Sequence, residues 1–326
     1  MKSLVIGSNS FSGSNFVNFL LNKKHKVIGI SRSSEYKSVY LRYKNNKFIK
    51  NFFFQKIDLN NDLNKLFRII IRNKPDFIIN FSAQGMVAES WRSPEDWYKT
   101  NTLSTIKLHD FLRKQRFIKK YIHFGTPEVY GSTRYNHKET EIFNPSTPYA
   151  ISRASADLSL ISFGKFYKFP FLITRAANVY GPGQQLYRIV PTVILNCLEK
   201  KKINLHGGGS SKRSFIHIDD VSEATYKIMM RGKLYSTYHI STNKIISIKQ
   251  LTLKILSKLK GSNKLIRNTT DRLGKDKIYY LNSQKLRNLN WNDNVSLDDG
   301  IDNTIEWVKN NFKVLKKEKR IYVHKK

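Results

Sequence analysis

At 326 residues, 40% of them hydrophobic and 25% charged, the chain is long enough for one large or two medium domains around a sizeable core. Its apolar runs are strand-length and the first is too short for a signal sequence or a membrane span, so we expect a cytoplasmic protein with no membrane partner. The formal charge of +34 is spread along the chain without zinc-finger spacing or an aromatic RNA-binding signature, which argues against nucleic acid, and the single Cys197 excludes an internal disulfide.

In chain order, "KSLVIGS", "KVIGIS", "FFQKIDL", "DFIINFSA", "KYIHFGT" and "FPFLITRA" read as strands separated by helical or loop stretches. That alternation predicts an α/β fold, a doubly wound parallel sheet of Rossmann-like type whose strands are buried on both faces.

The first junction, "VIGSNSFSGSNF", is a strand, a small-residue turn and a helix. Gly7 and Gly13 hold the outer positions of a G-x-x-G-x-x-G pattern and Ser10 the middle one. Backbone N–H groups and a helix N-terminus arranged in this way bind pyrophosphate. The second strand ends in Ser31 and Arg32, with no acid until Glu35. An arginine there favours the 2′-phosphate of NADP and an acid the 2′-hydroxyl of NAD, so the cofactor expected is NAD(P), with NADP favoured and NAD open. Asp58, in "KIDL", is placed either for the adenine amino group or to cap a turn.

Further on, "HFGTPEVYG" carries Thr126 and Glu128, which an extended strand would project to one side, with Pro127 between them. "STPYAISRASADL" places Tyr149 and Arg153 one helical turn apart on one face. A phenol ionises near pH ~10 and needs a fixed cation beside it to act as a base near neutrality.

Beyond Arg175 the rhythm breaks into "NVYGPGQQ", "HGGGSSKRSFIHIDD" and "DRLGKDKIYYLNSQKLRNLNW", punctuated by Gly and Pro. This predicts a dinucleotide-binding domain over 1–175 and a smaller α/β substrate lobe over 176–326, with the segment 215–246 returning to the first domain. "HGGGSS" lacks the ending of a nucleotide P-loop, and His217, Asp219 and Asp220 read as structural rather than as metal ligands. The basic run "KVLKKEKRIYVHKK" reads as a solvated tail.

Taken in order, "GSNSFSG", "NFSAQ", "TNTLST", "GTPEVYG", "PYAISRA", "RAANVYGPGQ", "RSFIHIDDV" and "DRLGKD" resemble the extended short-chain dehydrogenase/reductase family over nearly the whole chain. Within it they resemble the nucleotide-sugar 4,6-dehydratases, such as those for dTDP-glucose and GDP-mannose, and their epimerase relatives. The resemblance implies that Tyr149 is the catalytic base, with Arg153 where the family usually has Lys. It implies that Thr126 holds the reacting sugar oxygen and that Glu128 removes the C5 proton on the way to dehydration. Cofactor contacts are implied for Gly7, Ser10, Phe11, Gly13, Arg32, Asp58, Leu59, Ser82, Asn101, Tyr149 and Arg153. Substrate contacts are implied for Asn178, Arg213 and Arg272.

The activity expected is therefore an NAD(P)-dependent nucleotide-sugar 4,6-dehydration, giving a 4-keto-6-deoxy sugar by internal hydride transfer. Three alternatives stay open: a 4-epimerase, which needs no carboxylate at Glu128; an enzyme like UDP-glucuronate decarboxylase; and a non-catalytic cofactor-binding protein. Pro127 stands where the best-known dehydratases carry an Asp that protonates the leaving hydroxyl. By the same resemblance we expect a nucleoside-diphosphate sugar as substrate and a homodimer that pairs the Tyr149 helix with the region from Glu95 to Lys114.

Overall fold

The computed structural model describes residues 1–133, 136–271 and 278–324. Seven apolar runs form one sheet: β1 (Lys2–Ile6), β2 (Lys26–Ser31), β3 (Phe52–Lys56), β4 (Phe77–Asn80), β5 (Lys120–Phe124), β6 (Phe171–Ala176) and β7 (Ser236–Ile240). Their order is β7-β6-β5-β4-β1-β2-β3, and every neighbouring pair is parallel. The doubly wound Rossmann-like sheet expected from the sequence is the fold found.

The helices that position the site are α1 (Phe11–Asn22), α2 (Leu63–Asn73), α3 (Thr105–Leu112), α4 (Pro148–Tyr167), α5 (Ile189–Leu198) and α6 (Ile218–Arg231). Alternate strand residues feed two cores. Val5, Ile79 and Leu172 pack with Phe16 and Leu20 of α1 and Val221 and Ile228 of α6. Leu4, Ile6, Ile78 and Ile173 pack with Leu66 of α2, Leu108 of α3 and Leu160 of α4. Burial on both faces explains why these strands read as continuous apolar runs rather than as alternating ones.

A third apolar cluster joins Val193 and Ile194 of α5 to Leu251, Ile255, Ile301 and Val308. Cys197 lies in it, and burial pushes its thiol above the usual range. Among the described residues no helix is long and apolar enough to cross a membrane.

The chain runs one way from β1 to β2 and β3 and the other way from β4 outward, so a crevice opens where the carboxyl ends of β1 and β4 diverge. Asp219 and Asp220, weighed as metal ligands and read as structural, have partners of their own. Asp219 pairs with Arg42 at 2.5 Å, and Asp220 accepts the backbone N–H groups of Asn294 and Val295 at 3.0 and 3.1 Å. His217 caps α6, accepting the Asp219 N–H at 3.3 Å.

Candidate active site

A cleft of about 1340 Å³ follows the carboxyl ends of the strands from Gly7 to Arg213. Sites for one drug-sized ligand hold about 300–1,000 Å³, so this one has room for a dinucleotide and a second ligand together.

The dinucleotide end is built on the first turn. Gly7 has φ +82°, and a Cβ there would lie 2.8 Å from the Ser82 nitrogen. A Cβ on Gly13 would lie 2.1 Å from the Gly7 carbonyl oxygen. Only glycine lets the turn and α1 come this close. Gly13 is not among the residues that line the cleft and packs against the Gly7 carbonyl behind it. Ser10 caps α1: its hydroxyl accepts the Gly13 N–H at 3.0 Å. The first amides of a helix have no partner inside it, and Phe11 and Ser12, the first two residues of α1, line the cleft. A serine at the middle of the motif thus completes an anion-binding helix end. The residues present fit a pyrophosphate.

Around this end, Arg32 donates to the Gln84 side chain at 3.2 Å, and Glu35 accepts from the Tyr43 hydroxyl at 2.8 Å. Asp58 accepts the Asn60 N–H at 2.9 Å, the capping role, while it and Leu59 line the cleft. Ser82 also lines it, with its N–H and hydroxyl both on the Asn80 side chain.

Asn101 departs from the expectation of a cofactor contact. It is fully buried in a π-helical turn, Tyr98–Ser104, and is absent from the cleft wall. Its side chain takes the Gln84 N–H at 2.7 Å and gives its own protons to the Gln84 carbonyl and the Ser152 hydroxyl, each at 3.0 Å. With every polar group satisfied by the loop after β4 and by α4, Asn101 ties that loop to the tyrosine helix.

The reacting end gathers Thr126, Glu128 and Tyr149. The extended strand expected through Glu128 stops at Phe124, and Pro127–Tyr130 is a 3₁₀ turn. Pro127 at its first position has no N–H to lose and a φ preset for the turn. Thr126 caps it, accepting the Glu128 N–H at 3.4 Å while donating its hydroxyl to the Glu128 carboxylate. The two side chains meet through a capped turn, not through strand alternation.

Tyr149 enters in the first turn of α4, which Thr147 caps by accepting the Ala150 N–H at 3.1 Å. Its phenol is pushed up to about 12, first by burial and then by the negative charge of Glu128. Arg153, a hydrogen bond with Thr126, and Arg188 pull the other way. Without ligands the group is a neutral phenol at pH 7.

Arg153 lies below it, 1% exposed, its guanidinium donating to the carbonyls of Phe124 and Ser82. The same guanidinium lies 3.2 Å from His123 Nε2. A guanidinium can only donate, so Nε2 accepts and the His123 proton sits on Nδ1, 3.3 Å from the Tyr121 hydroxyl. Burial and then Arg153 hold His123 well below its usual pKa, so it stays neutral. Deeper still, Asp157 pairs with the fully buried Arg175 at 2.5 Å.

At the far end Asn178 lines the cleft from a short strand, Asn178–Tyr180, paired with Phe215–His217. Arg213 lines it too, its guanidinium 4.6 Å over the Tyr279 ring. Arg272 lies outside the described residues. Sequence reading missed Arg188, which ends the loop before α5, lines the cleft and acts on Tyr149. It also missed Gln84, which ties Arg32, Asn101 and His324 together. A lone Arg before an apolar helix and a Gln in a loop carry no local signal.

The family described as GDP-mannose 4,6 dehydratase matches residues 4–304. The human dTDP-D-glucose 4,6-dehydratase is 33% identical over 246 residues, covering 73% of this chain and 70% of that protein. The chain also matches trifunctional plant proteins of Arabidopsis thaliana that begin with a UDP-glucose 4,6-dehydratase activity, and it spans only 40 to 47% of their length. Among solved structures, a dTDP-glucose 4,6-dehydratase from Streptomyces venezuelae with NAD bound superposes with TM-score 0.88 at 28% identity, covering 96% of this chain and 98% of that one. A UDP-glucose 4-epimerase from Thermotoga maritima with UDP-glucose gives 0.86 at 27%, covering 96% and 100%.

Proposed function

The chain belongs to the GDP-mannose 4,6 dehydratase family, within the extended short-chain dehydrogenase/reductase group of nucleotide-sugar dehydratases and epimerases, and on that footing we propose that it is an NAD(P)-dependent nucleotide-sugar 4,6-dehydratase. The observation that carries this reading is the Thr126–Glu128 hydrogen bond beside Tyr149, a hydroxyl and a carboxylate held on the phenol that would start the reaction.

The hydride that leaves C4 of the sugar and returns at C6 is the chemistry a bound NAD(P) supplies. Tyr149 takes the C4 hydroxyl proton as the phenolate, the form that Arg153 and Arg188 favour, and becomes the neutral phenol. The Thr126 hydroxyl holds the reacting oxygen. Once C4 is a ketone, the C5 proton is acidic, and Glu128 removes it. Pro127 has no proton to give, so Glu128 itself passes that proton to the C6 hydroxyl as water departs. A hydride to C6 and a proton to C5, drawn from solvent through Glu128 while Tyr149 returns its proton to solvent, complete the 4-keto-6-deoxy sugar.

Epimerisation is the second reading, supported by the likeness to the Thermotoga epimerase. It would leave Glu128 without chemical work. Incubation with dTDP-glucose, UDP-glucose and GDP-mannose, with NAD and NADP in turn, separates the two when products are read by NMR and mass spectrometry. We expect a product lighter than its substrate by one water. A product isomeric with its substrate overturns dehydration. The cofactor arms decide between NADP, favoured by Ser31 and Arg32, and NAD, supported by the Streptomyces relative.

Three further points belong to the same reading. The cofactor half comprises 1–175 with about 215–246, supported by β7 on the sheet edge and by α6 on the core of α1. The remaining part of 176–326 is the substrate lobe. The cytoplasm suits the lone buried thiol of Cys197, and cell fractionation tests that. Leu103, Ile151 and Leu158 are exposed on the adjoining helical segments expected to pair in a homodimer. Sedimentation velocity is expected to give twice the chain mass, and a monomer overturns that assignment.

A further inference from the structure

The last described residues do not behave as a solvated tail. From Lys317 to His324 burial alternates: Glu318, Arg320, Tyr322 and His324 are partly covered, whereas Lys317, Lys319, Ile321 and Val323 are exposed. Period two is the mark of an extended chain lying with one side on a surface. A segment without a surface would show no period.

Every inward residue has a partner. Glu318 accepts from Lys37 Nζ at 2.5 Å. Arg320 forks onto Glu199, with Nη1 to Oε2 at 2.6 Å and Nη2 to Oε1 at 2.7 Å, and Nη1 also reaches Asn196 at 3.1 Å. Arg320 is the main reason the Glu199 carboxyl is held down at about 2. Tyr322 packs edge-on against Tyr187, ring centres 5.6 Å apart. His324 stacks on Trp97 at 5.0 Å, bonds to Asp96 at 2.7 Å and lies 3.1 Å from the Gln84 amide.

These partners stand on different banks of the cleft. Lys37 follows β2, Gln84, Asp96 and Trp97 follow β4, and Asn196 and Glu199 end α5. Glu318, Arg320, Tyr322 and Val323 all line the cleft itself. The segment lies beyond residue 304, where the family match ends. It also lies beyond Leu315, the last fully buried residue, so it covers the site without belonging to the core. The Lys37–Glu318 pair is exposed on its lysine side and the Arg320–Glu199 fork is the firmer hold, and segments with little apolar burial open at low cost.

We propose that Glu318–His324 is a strap across the cleft, latched by Arg320 on Glu199, that contributes Tyr322 to the wall beside Tyr187 and Arg188 and lifts to admit and release ligands. The inference rests on the nucleotide-binding reading of the cleft given above. Burial beside Tyr187 pushes the Tyr322 phenol up to about 12, as expected of a ring in a wall rather than in water. Closure of this kind excludes solvent from the reacting groups and places ligand release under the control of opening.

The test is the release rate of NAD and of nucleoside diphosphates, measured by stopped flow on the intact chain, on a chain cut after Lys317 and on Arg320→Glu, which sets two carboxylates against each other. Both variants keep every fully buried residue and are expected to melt as the intact chain does. Release is expected to be about tenfold faster in each, since changes in affinity of this kind act mainly on dissociation. Rates within about twofold of the intact chain, with ligand bound in all three, overturn the strap alone. If the intact chain takes up neither NAD, NADP nor any of dTDP, UDP and GDP, the dehydratase reading and the strap both fall.

Discussion

Replacing Tyr149 by Phe is expected to lower turnover by at least about a hundredfold, within the roughly 10²–10⁴ that a positioned proton-transfer group contributes. The substitution removes one oxygen and leaves α4, its Thr147 cap and the cleft wall in place, so binding of NAD(P) should persist. The sign of the electrostatics is testable on the same group. In the free protein the phenol titrates near 12, above its ordinary value, because burial and the Glu128 charge favour the protonated form. Ultraviolet titration should find this tyrosine neutral up to strongly alkaline pH. Removing the Glu128 charge should lower that pKa, and removing the Arg188 charge should raise it. A ligand that brings positive charge to the phenol should lower it as well, moving the tyrosine toward the base the reaction needs. Wild-type turnover in Tyr149→Phe would show that another group takes the C4 proton.

Glu128→Gln is expected to suppress loss of water by about 10²–10⁴, the loss typical of a missing general base. The glutamine oxygen can still accept from the Thr126 hydroxyl, so the turn at Pro127–Tyr130 should keep its shape. Oxidation at C4 does not use Glu128, and removing its charge eases ionisation of Tyr149. The variant should therefore stall after the first hydride transfer, seen as growth of reduced-nicotinamide absorbance without a dehydrated product. Solvent deuterium should also cease to enter C5. Undiminished water loss in Glu128→Gln would sink the assignment of both proton steps to this carboxylate. Such a result would also leave Pro127 unexplained, since no other acid has been placed at the leaving hydroxyl.

Much of the site was legible because it is local. The turn at Gly7 and Gly13, the Thr126–Pro127–Glu128 triplet and the first turn of α4 are each written within a dozen neighbouring residues. Caps, backbone sterics and strand length act over that range. Even there, local pattern misjudged how Thr126 and Glu128 come together: strand alternation and a capped 3₁₀ turn deliver the same two residues to one place, and only Pro127 at the start of the turn selects between them. Ser10 is a similar case, a departure from glycine that the helix uses as its cap.

What the sequence by itself determined is the order of strands and helices, the glycine turn that can hold a pyrophosphate, and the identity of the proton-transfer candidates. Tertiary structure alone decided that Asn101 binds backbone rather than facing the cleft, that Arg153 is clamped below Tyr149 by His123 and two carbonyls, and that Arg188 shares in setting the phenol. It also turned a basic run, read as solvated, into a segment lying across the cleft. The physical reason is range: residue patterns report hydrogen bonds and burial between near neighbours, whereas His324 meets Asp96 across 228 positions and Arg320 meets Glu199 across 121. Contacts of that span exist only once the sheet has brought its two banks together.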